Sequence, residues 1–160
     1  MPSKQGDLSL LARPIAQELL HSPVSARVAY TWKDGTPLVV PIWLHWNGEK
    51  IVLGSPPKAP KVLIPPDHPH VALTIDSTQW PYRALLIRGI AKVDTVEEVS
   101  PDYAAAAERY FGVEQGRAWV EQMRVMSSHM ARIAVQPTWV GLLDFETRFP
   151  SAIEAAMAGS

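Results

Sequence analysis

Ser55, Lys58 and Lys61 stand within seven residues of one another. One hydroxyl and two ammonium groups make fixed donors for a small anion, and a phosphate suits them. The stretch 55–69 around them holds six prolines. It cannot form a regular long helix, so it reads as a stiff loop with at most one helical turn near Val62. Pro41, Ile42 and Trp43 lie in an apolar alternation upstream. They offer a flat wall and backbone groups that read the polar edge of a ring. Pro41 lacks an N–H and so changes which of those groups can face it. Arg88, just before Gly89, is a further candidate cation. Together these residues suit a planar ring with a phosphate tail. Each has an ordinary alternative. A loop lysine can be a solvated surface group, Trp43 a core or interface aromatic, and Arg88 a surface cation.

Other chemistry has little support. The chain has no cysteine, so it offers no thiol nucleophile, disulfide or Cys-based metal site. Ser127-Ser128-His129 matches no nucleophile arrangement, and paired carboxylates for acid/base work are not apparent. His68 and His70 have a spacing that can bind metal on a strand, but no cysteine or third histidine stands near them in sequence, and no metal is expected. No catalytic residue is assigned.

Composition sets the outer bounds. The 160 residues are 47% apolar and 19% charged, which fits one globular domain over 1–160. A net charge of -1 argues against a dedicated nucleic-acid binder. No apolar run approaches the ~20 residues that span a bilayer. No signal-peptide pattern opens the chain, so a cytoplasmic location is expected. Charge is uneven. The span 27–92 holds eight Lys/Arg against four Asp/Glu, and 93–121 holds two against seven. That is either an anion site confined to the first span or two ordinary solvated surfaces.

The elements that must position these residues are mostly strands. Residues 8–21 read as a helix. Val28, Tyr30 and Trp32 alternate with smaller or polar residues as a first strand, and Asp34-Gly35 turns it into a second. Leu38, Val40, Ile42, Leu44 and Trp46 alternate along that second strand, where Pro41 favours a sheet edge or a break in the ladder. Asn47-Gly48 makes the next turn, into a strand at 50–54. Strands follow at 71–76 and 82–93, with Gly89 as a bulge or a site of close approach. Ser100 caps a helix that Pro101 opens and Gly112 stops, and a second helix runs over 114–126. Its stripe of Trp119, Met123 and Met126 reads as core. Two strand-like runs, 130–136 and 138–145, close the pattern.

In this order the motifs resemble the FMN-binding split-barrel superfamily, typified by pyridoxamine 5′-phosphate oxidase. Within it the chain is most similar to the flavin/deazaflavin oxidoreductase branch. The matching features are Thr31 with Asp34-Gly35 and Pro37, then Val40-Pro41-Ile42-Trp43. Lys61 with Pro69, Val71 and Leu73 follows, then Ile87-Arg88-Gly89-Ile90-Ala91. The likeness covers 24–140, and its specificity lies in order and spacing. It implies a mainly β protein with flanking helices (α+β), a six-stranded antiparallel Greek-key split barrel. The barrel is expected at about 24–94 and 129–147, with a helical insert at about 96–128. It also implies a homodimer with FMN or F420 lodged between the subunits, and Lys61 at the position of the phosphate-binding lysine. The loop departs from the usual pattern in its prolines and second lysine. The C-terminal Arg/His pair of vitamin B6 oxidation is not recognisable.

Three function classes follow. The first is an FMN-dependent oxidoreductase on a small organic substrate, in which the cofactor carries the hydride. The second uses the deazaflavin F420, whose charged tail would exploit the extra cations. The third is a non-catalytic or haem-handling barrel, with His129, His45 or another histidine as axial ligand. Large apolar residues on both faces of 38–46, Trp43 and Trp46 among them, further suggest that the outer face packs on a second subunit.

Overall fold

The computed structural model describes residues 3–57, 59 and 64–160. Its centre is one antiparallel sheet of seven strands. These are β1 (Ala26–Thr31), β2 (Pro37–Ile42), β3 (His45–Trp46), β4 (Ile51–Ser55), β5 (His70–Asp76), β6 (Ala84–Glu97) and β7 (His129–Leu143), in the spatial order β2-β1-β5-β6-β7-β4-β3. Four helices accompany it among the described residues: α1 (Pro14–Leu20), α2 (Pro101–Phe111), α3 (Val113–Met126) and α4 (Ser151–Ala158). Among the described residues no helix is long and apolar enough to cross a membrane.

The expectation of six strands is corrected to seven, and the sheet does not close. The alternation over 38–46 runs through a break. β2 pairs with β1 at one sheet edge, and β3 pairs with β4 at the opposite edge. Only Trp43 and Leu44 join them. A flat sheet of this width would set its edges about 29 Å apart, whereas Ile42 to His45 can span at most about 11 Å. The sheet must therefore roll until its two edges meet. No ladder joins them among the described residues, so the seam stays split. Pro41, one residue before the end of β2, lies on the edge strand where its missing N–H is tolerated.

The 8–21 helix is likewise two pieces, a 3-10 turn at Leu8–Ala12 and α1. Pro14 has no N–H to continue the first and instead opens the second. The two terminal runs are a single strand, β7. Pro137 lies inside it opposite Gly89, where the β6 register shifts. There the bulge excuses the missing donor. A Cβ on Gly89 would come within 2.6 Å of the Gln136 carbonyl oxygen, so the close approach needs glycine. Ser100 caps α2 by accepting the Tyr103 N–H at 3.2 Å.

Alternation sends Val28, Tyr30, Leu73, Ile75, Leu85 and Ile87 into the rolled sheet, where all are buried with Ile133 and Leu142 of β7. A second, smaller core lies outside the barrel wall. Val99, Ala107, Val120, Met123 and Met130 form it, with Trp43, Tyr103 and Trp119 packed against it. Of the α3 stripe, Met123 is buried and Met126 is exposed. Trp43 finds cover within its own chain. Tyr110 stacks on it at 5.2 Å and Phe111 meets it edge-on at 4.7 Å. Trp46 packs against the main core. Neither residue calls for a second subunit.

Candidate functional site: a cavity at the split seam

The seam leaves backbone groups without strand partners, and α2 takes them up. Tyr110 Oη donates to the Val24 carbonyl at 3.0 Å and accepts the Leu44 N–H at 3.4 Å. Arg109 donates to the Leu44 carbonyl and, through Nε at 3.2 Å, to that of Ser22. Leu44 is fully buried, so these bonds replace water it cannot reach. Two turns away, Asp102 accepts from Arg132 of β7 at 2.9 Å and lies 4.0 Å from His45. Burial pushes the His45 imidazole pKa down, with the Asp102 carboxylate working the other way. The α2–α3 hairpin is thereby fastened over the β3–β4–β7 end of the sheet.

Between hairpin and strands lies a cavity of about 230 Å³, lined by Pro41, Ile42, Trp43, Gly54, Pro56, Tyr103 and Trp119. Its strand side comes from both edges of the seam. Its outer side is Tyr103 and Trp119, with Trp119 Nε1 donating to Tyr103 Oη at 2.9 Å. The Trp43 and Tyr103 ring centroids are 6.0 Å apart.

Three sequence candidates, Pro41, Ile42 and Trp43, meet here. Ser55 does not line the cavity. Gly54 and Pro56 do, and strand alternation turns the residue between them to the other face. Ser55 is fully buried, and its Oγ has no hydrogen-bond partner among the described residues. Lys58 and Lys61 lie outside the described residues. Arg88 is elsewhere, on the outer face of β6, with its guanidinium 4.7 Å above the Trp139 ring. Two other cavities, of about 380 and 370 Å³, flank it. Gly54, Pro56, Tyr103 and Trp119 were not singled out as site residues from sequence. Tyr103 and Trp119 stand on the apolar helix faces, a signal that reads equally as core.

The fold and the cavity define a rolled, split antiparallel sheet with an aromatic-lined slot at its seam. No protein-family model matches the chain, and no curated protein matches it. Solved structures do. F420 reductase is 26% identical, covering 78% of this chain and 94% of its own, with a TM-score of 0.58. HutZ, the haem storage protein from Vibrio cholerae, is 17% identical over 82% and 93% at a TM-score of 0.58. A Clostridium acetobutylicum protein of the pyridoxinephosphate oxidase family, related to general stress protein 26, is 13% identical over 81% and 86% at 0.56. The last two show the fold alone. In fold the chain resembles the split-barrel proteins of the F420 reductase and pyridoxamine 5′-phosphate oxidase type.

Proposed function

We propose that the protein is an oxidoreductase that holds a flavin-type cofactor, the deazaflavin F420 or FMN, with one edge of the ring in the seam cavity. The observation that carries this is the convergence of Pro41, Ile42 and Trp43 with Gly54 and Pro56 in one aromatic-walled slot. The described residues fit a ring. They provide apolar and aromatic walls, and Arg132, the strand partner of Gly54, is held by Asp102. A cavity of about 230 Å³ is smaller than most whole-ligand pockets. It receives a ring edge and leaves the tail outside; the sequence assigns the tail's phosphate to Lys58 and Lys61, which lie outside the described residues. Such a cofactor supplies two-electron redox chemistry, and the protein positions the ring and keeps water from it. The 26% identity to F420 reductase favours F420 over FMN.

A homodimer is part of this reading. On the outer face of β1, β2, β5 and β6, Ala29, Val39, Ala72 and Leu86 line a cavity beside Trp139. Val39 is 60% exposed. A two-fold partner on this face would cover it.

Titration of the purified protein with F420 and with FMN tests the cofactor. Saturable quenching of the fluorescence of its six tryptophans is expected at about micromolar concentration. Absence of binding to either at about 1 mM would overturn the reading. A Soret band in the protein as isolated would place it with the haem-handling class instead.

A further inference from the structure

We propose that Tyr103, oriented by Trp119, is a specificity-determining residue that donates a hydrogen bond to an edge acceptor of a planar heteroaromatic ring in the seam cavity. This rests on the ring-binding reading above. An indole N–H can only donate. Trp119 Nε1 lies 2.9 Å from Tyr103 Oη, so the tyrosine oxygen is the acceptor in that bond and its own O–H is left to donate elsewhere. No acceptor takes that proton among the described residues. Both side chains line the cavity, together with Ile42 and Gly54.

The donor is held in place. Its backbone N–H is tied to the Ser100 cap at 3.2 Å. Its ring lies against the bare backbone of Gly54, where a Cβ would collide with Tyr103 Cδ2. Among the described residues the lining of the cavity has no carboxylate, ammonium or guanidinium group. A neutral ring with a carbonyl or ring nitrogen on its edge is therefore the occupant it suits. The pyrimidinedione edge shared by flavins and deazaflavins has such acceptors. A ring of similar size without one would leave the donor unpaired and be rejected.

The test measures F420 and FMN binding by calorimetry to wild type, Tyr103→Phe, Trp119→Phe and the double variant, with thermal unfolding as the control for folding. Tyr103→Phe keeps the ring and removes the donor. It should bind about 3- to 10-fold more weakly and shift the absorbance of the bound cofactor. Trp119→Phe should weaken binding less, and the double variant should bind no worse than Tyr103→Phe, because Trp119 acts through Tyr103. Wild-type affinity and spectrum in Tyr103→Phe would overturn the inference while leaving ring binding intact. So would losses that simply add. A wild type that binds neither cofactor would overturn both.

Discussion

The Tyr103 ring rests on Gly54, close enough that a Cβ built on the glycine would collide with Tyr103 Cδ2 and come within 3.1 Å of the tyrosine Cβ. The glycine is thus what lets α2 approach β4 and form the outer wall of the seam cavity. Gly54→Ala should push the ring away. Overpacking of this kind costs about 1–3 kcal/mol, readable as a lower urea midpoint, and cofactor affinity should fall with it. An unchanged midpoint together with unchanged affinity would mean that Tyr103 does not need this contact.

The seam itself depends on α2. Arg109→Ala leaves the buried Leu44 carbonyl without its donor. An unsatisfied buried acceptor costs about 1–3 kcal/mol. Tyr110→Phe removes the bonds to Val24 and Leu44 and should cost somewhat less. Both bonds to Leu44 serve one crossover, so the double variant should fall short of the sum. Chemical denaturation of the four proteins reads this directly.

Asp144 supplies the pH dependence. Burial alone would raise its carboxyl pKa, but hydrogen bonds from the Thr147 hydroxyl and from the N–H groups of Glu146, Thr147 and Arg148 outweigh it and hold it at about 2. An unfolded aspartate titrates near 3.9. The folded value is the lower one, so the stabilisation is fully present above about pH 4 and is lost as pH falls toward 2. It amounts to about 2–3 kcal/mol at neutral pH. Asp144→Asn should be less stable than wild type at pH 7, and the two should converge by about pH 2. A gap that stays constant with pH would contradict this origin.

Val39 tests the assembly. It projects from the outer sheet face and is 60% exposed in one chain. Val39→Glu should leave the fold intact and give a monomer by light scattering at micromolar concentration, where wild type is expected to be a dimer. A wild-type monomer would remove the dimer from the account.

Local chemistry carried much of this architecture into the sequence. The Asp34-Gly35 and Asn47-Gly48 turns, the Gly89 bulge and the Ser100-Pro101 helix start are each enforced by a few adjacent atoms, and all were legible. The break at Trp43-Leu44 was not. Leu38, Val40, Ile42, Leu44 and Trp46 keep alternating across it, and alternation records which face is buried but not which strand lies alongside. Helix α4 also escaped, since its alanine-rich run has no polar face and buries no residue. At the site, the Pro41–Trp43 wall was readable because one strand carries it. The opposite wall was hidden, because Tyr103 and Trp119 lie on two helices whose apolar faces look like ordinary core. Arg88 is next to the bulge glycine in sequence, yet its strand position turns it to the outer face beside Trp139.

The location of the ring tests the central claim most directly. A crystal structure of the protein with F420 or FMN should show the ring edge between Ile42 and Gly54, with the Tyr103 hydroxyl on one of its edge acceptors. A ring bound instead on the outer sheet face, against Arg88 and Trp139, would contradict the assignment of the seam cavity as the site.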